Sequence, residues 1–345
     1  MAKMKTQLST ITLAVLGSIS LGANASTEES QLEKITVLAP QTQITEQAIA
    51  TGNNTNPDLA QWLTSVPGAN VNRNGPTTGI AQYRGLFGDR VASTVNGRTI
   101  IGAGPNAMDT PLSYTTPLIV ESMSVYRGIA PVSAAIDTLG GAIEVNMRKA
   151  ETSDNDSLSG HGEILSGYRQ ANKAKTFSAW GNISGHNQGL MIYGNWQKAD
   201  NQESANGVEI SPTFYEKSQA GFDYRVSHKG GETGLSYHYV DTNNSGTPAL
   251  PMDIDYIYSN RVSLDGEFSY NGWDLGWMLG FHSASHEMDN FTHRKNMMPD
   301  MHKVNLAESE TTDFKLTASH DSWKIGVDGY VADHDSTITN PNNMM

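Results

Sequence analysis

From about Ser157 to its end the chain repeats one pattern: segments of roughly ten residues, alternating apolar and polar, set between turn residues. Phe222, Tyr224 and Val226 alternate with Asp223, Arg225 and Ser227. Val262, Leu264, Phe268 and Tyr270 alternate with Ser263, Asp265, Glu267 and Ser269, and Trp323, Ile325, Val327 and Val331 with Lys324 and Asp328. Similar runs cover about 158–169, 175–186, 189–199, 233–241, 274–285 and 310–319, which makes about nine strands. Turns are expected at Asn187-Gln-Gly189, Lys229-Gly-Gly231 and Asn271-Gly272. A period of two leaves each strand with one apolar and one polar face. A soluble sandwich or up-and-down barrel turns the apolar face inward. A transmembrane barrel turns it out to lipid. Aromatics at the expected strand ends (Tyr168, Trp196, Tyr239, Trp273, Trp323) favour the second.

The N-terminus points the same way. Lys3 and Lys5 precede the apolar run Ile11 to Leu21, and Ala23-Asn24-Ala25 is an A-x-A cleavage site. Residues 1–25 therefore read as a signal peptide, with the mature chain starting at Ser26. No later apolar run approaches the roughly 20 residues of a helical span, so membrane insertion would use a barrel. The formal charge of −13 over 345 residues leaves no basic face for nucleic acid. The absence of cysteine excludes disulfides, thiolate metal sites and cysteine nucleophiles.

Between the leader and the alternating region, Tyr83 to Val145 is short strands with glycine and proline punctuation. It contains Tyr83-Arg-Gly-Leu-Phe-Gly-Asp-Arg90, strands expected at Ala92 to Asn96, Ser122 to Tyr126 and Ala142 to Met147, and the ends Val125-Tyr-Arg-Gly128 and Gly140-Gly-Ala-Ile143. In that order the pieces resemble the plug domain of TonB-dependent outer-membrane receptors, over about residues 30 to 150. The resemblance implies an all-β chain with a small α/β plug. Its parts are a TonB box and linker over 26–45, the plug over 46–150 and the N-terminal part of a transmembrane barrel over 151–345. Leu32 to Pro40 takes the place of the TonB box. Glu33, Ile35, Thr36 and Val37 are the expected contacts with TonB, as an edge strand added to its sheet. Arg84, Arg90, Glu121, Arg127 and Glu144 are candidates for pairing with wall charges. Receptors of this kind close about 22 strands around the plug. About nine strands read as a truncated product or the front half of a longer receptor, unable to transport alone.

The residues that suggest a cargo are methionines and histidines in expected outward-facing loops: Met108, Met252, His286, Met288, His293, Met297, Met298, Met301 and His302. Thioether with imidazole suits Cu(I), and imidazole alone suits Cu(II) or Zn(II). Packing against a barrel wall is the other use of such methionines. Met108-Asp-x-Pro-x-Ser-Tyr114, Met252-Asp253 and His286-x-Met-Asp-Asn-Phe-x-x-Arg294 resemble the copper-receptor branch of the same family. The resemblance makes Met108 the plug methionine, Met252 the barrel methionine and His286 the barrel histidine. Met288, His282 or His293 would complete the shell. The branch's plug cysteine falls at Gly104, a departure that puts affinity and redox handling in question. Copper is thus expected as cargo, with no catalytic cofactor, and TonB and outer-membrane lipid as partners. One alternative is a receptor for an organic chelate such as a siderophore or haem, the latter with His286 and His293 as its pair. The other is an exported periplasmic binding protein or enzyme. Enzyme chemistry is not expected: His286-Glu-Met-Asp-Asn290 lacks the second histidine of H-E-x-x-H, and no G-x-S-x-G occurs.

Overall fold

The computed structural model describes residues 44–45, 55–105, 108–127, 130, 133, 138–295 and 298–342. The leader and the TonB-box residues Glu33, Ile35, Thr36 and Val37 lie outside the described residues, as does Met297. The N-terminal part has β1 (Ile44–Thr45), β2 (Ala69–Arg73), β3 (Gly79–Tyr83), β4 (Leu86–Phe87), β5 (Ala92–Val95), β6 (Arg98–Thr99), β7 (Val120–Arg127) and β8 (Gly141–Met147). They form a five-stranded sheet in the order β1-β7-β8-β5-β6 and a three-stranded sheet β2-β3-β4. β5 and β8 run parallel, the other pairs antiparallel. The turn between β5 and β6 is Asn96-Gly97, both at positive φ, the pair a two-residue hairpin selects. A 3-10 helix spans Leu59–Ser65, capped by Asp58 accepting from Ala60 N at 3.0 Å. Leu59, Leu63, Val95, Met123, Ile143 and Val145 form its core.

The wall follows: β9 (Ser159–Arg169), β10 (Ala174–Gly185), β11 (Gln188–Ala199), the small hairpin β12 (Gln202–Glu203) and β13 (Glu209–Ile210), then β14 (Tyr215–His228), β15 (Gly231–Ser245), β16 (Asp253–Tyr270), β17 (Trp273–Asp289), β18 (Val304–His320) and β19 (Trp323–Thr339). Apart from the small hairpin, these are nine antiparallel strands joined in sequence order, β9 at one edge and β19 at the other. Tight turns close one end, at His186-Asn187, Lys229-Gly230, Asn271-Gly272 and Asp321-Ser322. The first sits earlier than the expected Asn187-Gln-Gly189. His186 and Asn187 supply the two positive φ angles, and Gly189 is already paired in β11. Longer loops, 200–214, 246–252 and 290–303, close the other end.

The alternation resolves in one direction. On β17 the outward Leu279 is 55% exposed, while the inward His282 and His286 are 1% and 0% exposed against the plug. Ile164, Phe177, Ile192, Phe314, Leu316 and Ile325 are exposed, whereas Asn195, Gln197, Gln219, Asp223, Arg261 and Asp313 are buried. In water such a face would far exceed the few hundred Å² that soluble monomers expose. Apolar outside and polar inside is the barrel-wall arrangement, and the sandwich alternative is excluded. Among the described residues no helix is long and apolar enough to cross a membrane.

Candidate metal centre between plug and wall

The centre is built on the turn from Ala103 to Asp109. The Asp109 carboxylate accepts from Ala103 N at 2.7 Å, from Gly104 N at 2.8 and 2.9 Å, and from the Tyr114 hydroxyl at 2.7 Å. Burial alone would raise this carboxyl. The neighbouring His286 ring, Tyr114 and the Gly104 N–H outweigh it and hold it below its usual range. Burial and the charge of Asp109 push the Tyr114 hydroxyl well above its ordinary value, so it stays a donor. A fixed negative charge thus faces the wall at neutral pH.

Opposite it, β17 presents His286. Its Nδ1 lies 3.6 Å from Asp109 Oδ2, at ion-pair distance, and neither ring nitrogen makes a hydrogen bond. An ideal Cβ on Gly104 would sit 2.0 Å from that Nδ1, so the ring occupies the space a plug side chain would need. Met288, two residues on, shares the inward face of β17 and is buried with Met108 in one core cluster. Met252 is half-buried and packs on the same cluster. His286 and Met288 were expected in a loop. They lie in β17, because ladder hydrogen bonds continue through Asp253↔Asp289 beyond the lipid-facing alternation.

Three Met-Asp pairs share one device. Asp109 clamps the 103–104 turn, as above. Asp253 accepts from Thr247 N at 2.7 Å and pairs with Arg294 at 2.6 and 2.8 Å. Asp289 accepts from Phe291 N at 3.0 Å and Thr292 N at 2.8 Å. Each aspartate ties a loop, and the methionine before it is aimed at or against the shared cluster.

The other candidates stand elsewhere. His282 donates or accepts with Ser259 Oγ at 2.9 Å, and its ring meets the edge of Tyr114 at 5.2 Å. His293, in the 290–303 loop, places Nε2 3.2 Å from Asp255 of β16, and its ring packs against Phe214. Met298 and Met301 are exposed, and His302 stacks on Phe291.

The charge that docks the plug was missed in the sequence. It is Arg98, at the start of β6, buried and bonded to Asp313 on β18 (Nε at 2.9 and 3.1 Å) and to Ser263 Oγ at 2.7 Å. An added Cβ on Gly280 would fall 2.3 Å from its Cζ, so a wall glycine leaves the passage for it. Among the expected pairings, Glu144 instead accepts from Tyr126 within the plug at 2.9 Å. Arg98 follows a turn like any solvated arginine, and Gly280 sits in another strand; nothing local joins them. Beside the centre, a cavity of about 880 Å³ runs between the plug and β18–β19, lined by Gly104, Asp109, Thr94, Thr99, Lys315 and Tyr330.

A folded domain plugging an inside-out antiparallel wall is the architecture of outer-membrane receptors. Residues 33–142 match the model of the TonB-dependent Receptor Plug Domain, and the chain carries that domain. No curated protein sequence matches the chain. Among solved structures, the copper transporter OprC superposes with a TM-score of 0.75 at 23% identity, over 83% of this chain and 46% of that one. A mutant of the ferric enterobactin receptor PfeA from Pseudomonas aeruginosa gives 0.61 at 13% identity, over 88% and 50%. The siderophore receptor PirA from Acinetobacter baumannii gives 0.60 at 13%, over 85% and 48%. The chain thus spans about half the length of these structures, and at such identities the likeness establishes the fold.

Proposed function

We propose that this chain is the plug and leading wall of an outer-membrane receptor that binds copper between the two and takes it up by coupling to TonB. The observation that carries the reading is His286: fully buried, neither ring nitrogen hydrogen-bonded, facing the Asp109 carboxylate at 3.6 Å, and sharing the inward face of β17 with Met288. A buried imidazole without a hydrogen bond is costly unless something fills its place. Imidazole with thioethers selects a soft ion, Cu(I) above all, and Asp109 favours a cation there. In this reading residues 1–25 direct export, Glu33, Ile35, Thr36 and Val37 pair with TonB, and lipid covers the outer face of the wall.

The test is copper content by mass spectrometry on the full chain in detergent, beside Met108→Ala, Met252→Ala, Met288→Ala and His286→Ala. Copper is expected in the unaltered chain, with the deepest losses for His286 and Met108 and the shallowest for the half-buried Met252. Copper indifferent to all four changes would defeat the reading. A second reading, an organic chelate as cargo, is favoured by the cavity of about 880 Å³ at Gly104 and Asp109. It predicts tight binding of a ferric chelate that survives His286→Ala.

A further inference from the structure

On the inner face of the wall, three nitrogen-bearing side chains stand side by side. His238 of β15 pairs with Arg261 of β16, and Arg261 pairs with His282 of β17. All three are buried. Directly opposed residues of a ladder share a face, with Cβ atoms about 5 Å apart. The wall is shaped for this row. Tyr193 of β11 lies on the same rung, one strand beyond Gly221 of β14. A Cβ on Gly221 would fall 2.6 Å from the Tyr193 ring, so the glycine lets the phenol cross to His238 Nδ1 at 2.9 Å. On the other flank, His282 Nε2 meets Ser259 Oγ at 2.9 Å, and its Nδ1 makes no hydrogen bond. Each imidazole is thus fixed through one nitrogen. With the phenol and the serine hydroxyl donating, the other nitrogen of each ring carries the proton and is a donor. The plug covers the row, with Tyr114 edge-on to His282 and Met147 against Arg261.

Arg261 itself is short of acceptors. Among the described residues it forms no ion pair, and its one hydrogen bond goes to the Met147 thioether at 3.0 Å, a weak acceptor. Asp313, one same-face step from the rung, is engaged by Arg98 through both oxygens. The junction therefore holds two guanidiniums against one carboxylate that is already taken. A buried charge without a counter-charge is costly. A cation here would be repelled, whereas an anion would meet donors. Arg261 and His238 each keep only 4% exposure, so the occupant is small.

We propose that Arg261 binds a chloride ion at the plug–wall junction, with His238 Nε2 and His282 Nδ1 as neighbouring donors, and that this ion supplies the counter-charge on which the plug seats against β15–β17. The site does not depend on the identity of the cargo.

The experiment is thermal unfolding of the full chain in detergent, with potassium chloride replaced stepwise by potassium gluconate at fixed ionic strength. An ion that binds only the folded state raises the melting temperature with its concentration. That rise is expected in the unaltered chain and is expected to vanish in Arg261→Met, which keeps the bulk and drops the charge. His238→Leu is expected to shift the dependence to about tenfold higher chloride, as one hydrogen bond to the ion is lost. No chloride dependence in the unaltered chain would make the occupant water and overturn the proposal. A dependence of equal size in Arg261→Met would place the halide elsewhere and overturn it as well. Should Arg261→Met fail to fold, anomalous scattering from bromide-soaked crystals of the unaltered chain decides. A bromide peak within hydrogen-bond reach of Arg261 supports the site, and the lack of one there overturns it. Neither readout involves copper, so the copper reading stands or falls separately.

Discussion

The plug and the wall solve opposite solvent problems with similar strands. The plug buries Leu63, Val95, Met123 and Val145 and keeps a core like that of any soluble domain. The wall exposes Ile192, Leu279, Phe314 and Ile325 and buries Gln197, Arg225, His286 and Asp313. The polar inner face of the wall becomes buried only because the plug fills it. Its side chains must then find partners on the plug or remain unpaired. Arg98 with Asp313, and Lys217 and Gln219 with the carbonyls of Ser113 and Thr115, are found partners. His286 makes no hydrogen bond and faces Asp109 at 3.6 Å. The junction between an ordinary core and an inside-out wall thus separates docking groups from groups open to a cargo.

The largest effect that sharpens this contrast is expected from Arg98→Leu. It leaves Asp313 as a buried, uncompensated charge, and losing one partner of such a pair costs about 3–5 kcal/mol. Hydrogen exchange should show the plug amides losing protection while the β14–β17 ladder keeps its own. Uniform loss across both would break the separation of docking from wall formation.

Next comes Leu279→Arg, on the exposed face in mid-β17. A cation near the bilayer midplane costs about 2–4 kcal/mol in a barrel wall. Unfolding from lipid vesicles is expected to move by that amount, with plug protection unchanged. A neutral outcome in lipid would contradict the outward orientation.

Asp58 tests the plug side. Burial raises its carboxyl from 3.8 to about 6, with Arg73 and Lys217 pulling the other way. Its stabilising contribution is therefore full below 3.8 and lost as pH rises through about 6. Asp58→Asn keeps an acceptor for the Leu59–Ser65 cap but no charge. It is expected to flatten the pH dependence of plug unfolding between pH 4 and 7. Thermal melts across that window decide it, and an unchanged slope would remove Asp58 from the account.

The smallest effect is on affinity. Gly104→Cys restores the side chain that the copper-receptor resemblance implies, yet its Cβ would collide with the His286 ring. Copper binding is expected to weaken, about tenfold, as the histidine is displaced. Tighter binding would mean that the ring yields easily and that imidazole placement is loose.

Several of these features are legible in the sequence. All nine wall strands are, because side-chain period and turn chemistry are local properties. So are three of the five plug-sheet strands, at 92–95, 120–127 and 141–147. The loop-side strand ends are not. β16 begins at Asp253 and β17 runs to Asp289, where the ladder continues past the regular apolar-polar alternation. Within the candidate centre, Met108, Met252, His286 and Met288 are visible as residue types in motifs. Their separate standing is not: Met108 and Met288 in the core cluster, Met252 at its flank, and His286 buried opposite Asp109.

By itself the sequence determined the building material: a period-two wall, a punctuated plug and a chain without thiols. Only the tertiary structure decided which way the wall faces, that Gly280 passes Arg98 to Asp313, and that Gly104 yields its space to His286. The physical reason is range. Strand period and turn choice are set by neighbours a few residues apart, whereas each of those contacts joins side chains more than 160 positions apart, which no local pattern records.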